Sequence, residues 1–91
     1  MRTIFKHTVP VDDMPHDFKL TDEPLHVEST PLGEAVEFWT VHDDEAIEFT
    51  RTYQVVGTGH ELPKCARYVG TAKAHRMRLV WHLVELVKPC R

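Results

Sequence analysis

Short apolar-rich runs alternate with breaks along the whole chain. The runs are rich in Val, Ile, Thr, Phe, Tyr and Trp. They lie between prolines at 10, 15, 24, 31, 63 and 89 and glycines at 33, 57, 59 and 70. Acidic clusters at Asp12-Asp13, Asp22-Glu23 and Asp43-Asp44-Glu45 add further breaks. This is the punctuation of short strands joined by turns. The first run, 3–9, is stopped by Pro10. A weaker run over 16–20 places Phe18 and Leu20 on one face. Residues 25–28 alternate and end in a turn over 29–33. The run 35–41 follows, and its turn is the acidic cluster. The best alternation spans 47–55, where Ile47, Phe49, Tyr53 and Val55 share one side, as in a half-buried strand. Residues 25–41 read as one hairpin and 35–56 as a second.

The C-terminal third is ambiguous by period. Residues 71–88 contain no Gly or Pro and include Ala72, Ala74, Met77, Leu79, Leu83 and Leu86, all acceptable in a helix. Their apolar positions also fit a strand buried on both faces. The Val80-Trp81-His82-Leu83-Val84 core and the strand-rich context favour two strands, 66–73 and 77–87, with a turn at Ala74-His75-Arg76. A C-terminal helix is the alternative. The expected fold is all-β: six or seven short antiparallel strands in a small sandwich or partly open barrel. Trp39, Trp81, Tyr53, Phe38 and Phe49 are the expected core.

Ninety-one residues are read as a single domain, 1–91, because two cores would each be too small. A composition 42% hydrophobic and 27% charged is globular rather than disordered. The net charge of −3 argues against a generally basic nucleic-acid binder. No apolar run is long enough to span a membrane, and residues 1–7 do not read as a signal peptide. The expected location is therefore the cytoplasm. The charge is split along the chain: residues 1–50 carry twelve acids and three bases, and residues 51–91 carry eight bases and two acids. Either strands from the two halves interleave these charges, or the molecule has an acidic face and a basic face suited to a charged partner.

Cys65 and Cys90 are the only cysteines. A disulfide-dependent secreted domain of this size usually carries more, so two free thiols are expected; one bridge is the alternative. Seven histidines raise a metal site, yet no close His or Cys pair has zinc-ligand spacing. A site from His60, Cys65 and His82 would need tertiary convergence, so no metal or cofactor is expected. Catalysis is not expected either. Ser29 is the only serine and sits in a turn, and Cys65 beside Lys64 and Arg67 lacks the flanking pattern of a cysteine hydrolase. Gly57-Thr58-Gly59-His60 after a strand is the most pointed segment. It lacks the third glycine of a dinucleotide loop and the Lys-Ser/Thr of a Walker loop. It reads as a tight turn, with a ligand- or partner-binding loop as the alternative reading. Arg67, Lys73, Arg76 and Arg78 form a basic stretch, but Tyr68 alone supplies too little aromatic surface for nucleic acid.

Three segments taken together identify a likeness: Val55-Val56-Gly57-Thr58-Gly59-His60-Glu61-Leu62-Pro63, Ala66-Arg67-Tyr68-Val69-Gly70-Thr71 and Val80-Trp81-His82-Leu83-Val84-Glu85. With the opening Met1-Arg2-Thr3-Ile4-Phe5-Lys6, they resemble a family of short proteins of unknown function from actinobacterial phages, prophages and other bacteria. The likeness covers essentially the whole chain. It departs at Ala74-His75-Arg76-Met77-Arg78, where members usually have a glycine or a short gap, and over residues 10–22, which are more acidic here. The matching positions are Gly57, Thr58, Gly59, His60, Tyr68, Gly70, His82 and Glu85. The expected function is a non-catalytic phage accessory protein that binds and modulates a host cytoplasmic protein. A small-molecule binder that sequesters a nucleotide-derived signal is the second reading, with Gly57, Thr58, Gly59, His60, Arg67, Tyr68, Arg76, His82 and Glu85 as candidate binding residues. A minor virion component is the third. A homodimer through sheet edges is expected slightly ahead of a monomer.

Overall fold

In the computed structural model, which describes residues 1–74, 76 and 78–87, the described residues form seven antiparallel strands and no helix. They are β1 (Arg2–Pro10), β2 (His16–Leu20), β3 (Pro24–Ser29), β4 (Ala35–Asp43), β5 (Phe49–Gly57), β6 (Ala66–Ala74) and β7 (Leu79–Leu86). One sheet has the order β1-β4-β3 and the other β2-β5-β7-β6. The sheets stack face to face without closing into a barrel. The all-β expectation holds, and the helical alternative fails because 79–86 is a strand paired on both sides. His75, in the expected turn, and Met77, at the start of the expected strand 77–87, lie outside the described residues.

Period-two alternation decides which side chains meet between the sheets. The first sheet contributes His7, Val9, Val36, Phe38 and Val27; the second contributes Phe18, Leu20, Tyr53, Val55, Ala72, Trp81 and Leu83. His7, Phe18, Phe38 and Tyr53 form a connected ring cluster with centroids 4.9–6.1 Å apart. His7 also hydrogen-bonds Thr40 at 2.9 Å. Burial, with the nearby His42, holds the His7 imidazole below its ordinary pKa. The two sheets approach most closely at β3 and β6, where a Cβ on Gly70 would lie 2.8 Å from Val27 Cγ2. Glycine is therefore needed here for proximity rather than for its φ.

Three expectations are corrected. First, β3 and β4 form the expected hairpin, but β4 and β5 do not pair: the chain turns a corner over 44–48 and changes sheets. Second, two of the expected core aromatics lie elsewhere. Phe49 is 64% exposed, and Trp39 sits on the outer face of the first sheet, tilted against His26. Alternation placed Phe49 on the inward side correctly, but the opposite sheet does not cover it there. Third, Cys65 is disulfide-bonded rather than a free thiol; Cys90 lies outside the described residues.

The second sheet is buried on both faces over part of its length. Val56 and Val84 point away from Tyr53 and Leu83, yet they too are buried. The topology supplies a reason. β5 and β6 are each antiparallel to β7, so they run parallel to each other with β7 between them. Residues 58–65 must therefore travel from the end of β5 back to the starting end of β6, along the length of the sheet.

Candidate functional site

The candidate residues fall into two groups on opposite faces of the second sheet. The first group is on the outer face. Thr58, just past β5, meets His82 of β7, with Oγ1 and Nε2 2.8 Å apart. The other ring nitrogen of His82, Nδ1, lies 3.1 Å from the Tyr68 hydroxyl of β6. Tyr68 also contacts the Thr71 hydroxyl. In either neutral tautomer the imidazole donates one of its two bonds and accepts the other. Tyr68 and Thr71 are three apart and would face opposite ways on a regular strand. A bulge between Tyr68 and Gly70 brings them to one face, placing Tyr68 opposite Val84 and Thr71 opposite His82.

The loop that delivers Thr58 is built on its glycines. His60 N–H donates to Gly57 O at 3.1 Å, closing a turn, and Gly59 sits at φ 86. A Cβ on Gly57 would come within 3.0 Å of the His60 ring and 3.3 Å of Trp81. Gly59 thus supplies a left-handed φ and Gly57 close approach. Neither requirement involves a ligand. A groove of about 400 Å³ beside this loop is lined by Gly57, Thr58, His60, Leu79 and Trp81, among others.

A hydroxyl bonded to an imidazole that a second hydroxyl orients is a pattern able to move protons. Thr58 and Tyr68 are both exposed. The setting therefore lacks the water exclusion that makes such a pattern strong in catalysis.

The second group lies on the inner face. Glu85 of β7 is 7% exposed and points between the sheets. Arg51 of β5 grips it with both ends of its fork, Nε to Oε2 at 2.8 Å and Nη2 to Oε1 at 3.0 Å. Arg67 of β6 adds Nη2 to Oε1 at 2.6 Å. Glu23, on the β2–β3 connection, accepts from both arginines at 3.4 and 3.1 Å. Two acids and two bases make the cluster neutral. Burial alone would push the Glu85 carboxyl up; the hydrogen bonds and charges of Arg51 and Arg67 outweigh it and hold its pKa below the usual range. Both arginines are correspondingly raised, chiefly by their bonds to Glu85.

Tyr53 stands beside this cluster, directly opposite Glu85 in register. It is fully buried, and its hydroxyl has no hydrogen-bond partner among the described residues. Burial, reinforced by the Glu85 charge, pushes its pKa up to about 12.

The nine candidate residues are thus not one site. Thr58, Tyr68 and His82 come together, with Gly57, Gly59 and His60 shaping the adjacent turn. Arg67 and Glu85 join the inner ion cluster. Arg76 lies exposed in the β6–β7 turn and joins neither. Sequence reading missed Arg51, Glu23 and Thr71. Arg51 left a signal: it stands on the inward side between Phe49 and Tyr53, and an inward arginine requires an acid partner. Among the described residues, no group of three or more His, Cys, Asp or Glu side chains could hold a metal ion. No helix of the described residues is long and apolar enough to cross a membrane.

A two-sheet antiparallel domain with a neutral, partly buried ion cluster and an exposed hydroxyl–imidazole chain defines a class of small all-β protein, not an activity. Within that class the chain belongs to the DUF7352 family, a domain of unknown function whose model matches residues 1–90. No curated protein and no solved structure matches the chain.

Proposed function

We propose that this domain is a non-catalytic phage or prophage accessory protein that binds and modulates a host cytoplasmic protein. One observation carries the reading. At the corner between β4 and β5, Ile47 is 75% and Phe49 64% exposed. Asp43, Asp44, Glu45 and Glu48 surround them in sequence. Large apolar side chains rimmed by charge form the pattern of a protein-binding anchor. The acidic rim selects a partner surface that is basic around an apolar pocket. The phage setting rests on the resemblance of the Val55–Pro63, Ala66–Thr71 and Val80–Glu85 segments, with the opening Met1–Lys6.

The test is capture from host lysate on the immobilised domain, run beside Ile47→Arg and Phe49→Arg. Both positions are exposed, so circular dichroism of the variants should match the parent. A host protein should be retained by the parent, and its affinity should fall at least about tenfold in either variant, as for an anchor residue. Capture indifferent to both substitutions, or none above a blank support, overturns the reading.

A second reading has its own observation, the groove of about 400 Å³ beside Gly57, Thr58 and His60. A nucleotide-derived ligand seated there would raise the melting temperature of the parent and not of Gly59→Val, whose φ of 86 a branched side chain does not tolerate.

A further inference from the structure

The first sheet ends in an unguarded edge. β1 pairs with β4 without interruption from Arg2 to Pro10, and among the described residues no strand lies along its other side. Alternate backbone N–H and C=O groups of β1 therefore point outward unpaired. Proteins usually blunt such an edge with a bulge, an internal proline or a free lysine. Here the register is regular and the only proline is terminal. The one mid-strand lysine, Lys6, is turned toward Glu37 at 3.2 Å. Apolar side chains stand exposed on both faces of the edge, Ile4 at 62% and Phe5 at 43%.

We propose that two copies of the chain pair through β1, antiparallel, to make one continuous six-stranded sheet. Charge selects both the occupant and the register. Two of the cations at this edge are already met from the same chain, Lys6 by Glu37 and the N-terminal amine by Asp44 at 2.6 Å, and Arg2 stands opposite the acid Asp43 in register. A second β1 is therefore not repelled. In an antiparallel pair about a two-fold axis normal to the sheet, one residue faces its own copy. An axis at Ile4 sets Arg2 against Lys6 of the other copy, and an axis at Lys6 sets lysine on lysine. Like charges directly opposite are unfavourable. An axis at Phe5 avoids both and uses nearly the whole strand. It stacks the exposed Phe5 rings about the axis and sets Ile4 beside the Lys6 stem of the other copy, where an apolar neighbour is welcome. The interface is isologous, so it closes at two copies.

This inference does not rest on the host-partner reading, which uses the separate Ile47–Phe49 corner. The test is light scattering coupled to size exclusion over a concentration series of the intact chain, with oxidative cross-linking of Phe5→Cys. The parent should be dimeric. Phe5→Cys should yield a covalent dimer that Ile4→Cys and the unsubstituted chain do not. Ile4→Lys, which creates two symmetric like-charge contacts, should weaken dimerisation about tenfold with the fold intact. Phe49→Arg should leave the dimer unchanged. A monomer at all concentrations overturns the proposal. So does a dimer that ignores Ile4→Lys and gives no Phe5→Cys cross-link, because it pairs elsewhere.

Discussion

Replacing Tyr53 with phenylalanine should stabilise the protein. The ring is fully buried and packs against Phe38 and Phe18, with centroids at 4.9 and 6.1 Å. Tyr53→Phe keeps those contacts. It removes only a hydroxyl that has no hydrogen-bond partner among the described residues. Stranding such a group costs about 1–3 kcal/mol. Relief at the lower end of that range, about 1 kcal/mol, raises the melting temperature of a domain this size by about 4–8 °C.

The same substitution carries a pH signature. Burial and the Glu85 charge raise the Tyr53 pKa from 10.0 to about 12. Above pH 10 the unfolded chain gives up this proton while the folded chain keeps it, so stability falls as pH rises. The decline sets in near pH 10 and is complete by about pH 12. Its full size is about 2.7 kcal/mol, from about 1.36 kcal/mol for each pH unit between the two values. Urea titrations followed by the fluorescence of Trp39 and Trp81, at pH 7 and at steps above pH 9.5, measure both effects. Tyr53→Phe should show a higher midpoint at pH 7 and a shallower alkaline decline. A loss of about 1 kcal/mol or more at pH 7 would refute the reasoning, because the hydroxyl would then have been satisfied. An unchanged alkaline slope would refute the titration argument separately.

Other expectations follow from the same geometry. Glu85→Ala strands Arg51 in a half-buried position and should cost about 2–3 kcal/mol in chemical denaturation. That is less than a fully buried pair, because Arg67 is half in solvent and Glu23 remains to both arginines. Glu23→Ala removes an exposed partner and should cost less than about 1 kcal/mol. Because the folded Glu85 pKa is depressed, its contribution is present above the ordinary carboxylate pKa and is lost as pH falls through the lower folded value. Glu85→Gln should therefore flatten the acid limb of the stability curve. Gly70→Ala drives a methyl into Val27 Cγ2, a branched side chain that cannot swing aside cheaply, and should cost about 1–3 kcal/mol; Val27→Ala should recover part of that loss in the double variant.

Strand positions were legible in the sequence because they depend on short-range alternation and on breaks. The expected run 66–73 became β6 at Ala66–Ala74, and 77–87 became β7 at Leu79–Leu86. Sheet membership was not legible. Residues 35–41 and 47–55 alternate equally well whether they pair as a hairpin or turn a corner into opposite sheets, and only packing decides between these. Alternation likewise names a face but not whether another layer reaches over it, which is why Ile47 and Phe49 looked buried and stand in solvent. The outer-face cluster was hidden for a different reason. Thr71 joins Tyr68 and His82 only because a bulge reverses the parity of β6, and the glycine that marks the bulge, Gly70, also has a packing role against Val27. The inner cluster was partly visible in Glu85, a lone acid in an apolar strand, and in Arg51, a lone base on an inward face.

The sequence split of charge, acidic before residue 50 and basic after it, resolves into something narrower than two opposed faces. The β2–β3 acid Glu23 is shared by Arg51 and Arg67, so an acid of the first half neutralises bases of the second. Glu37 holds Lys6 within the first sheet. The corner over 43–48 is different. The Asp44 carboxylate meets the N-terminal amine, Asp43 accepts from the Glu45 backbone, and among the described residues no lysine or arginine forms an ion pair with Asp43, Asp44, Glu45 or Glu48. Excess negative charge thus gathers where the two most exposed inward-facing apolar side chains of β5 and its approach also gather. Mutual repulsion among these acids opposes folding slightly, and an uncovered Ile47 and Phe49 gain nothing from it. Both costs vanish when a basic surface with an apolar pocket closes over the corner. Binding through this corner should therefore weaken steeply with added salt in its association rate, while the Phe49→Arg loss should appear in dissociation.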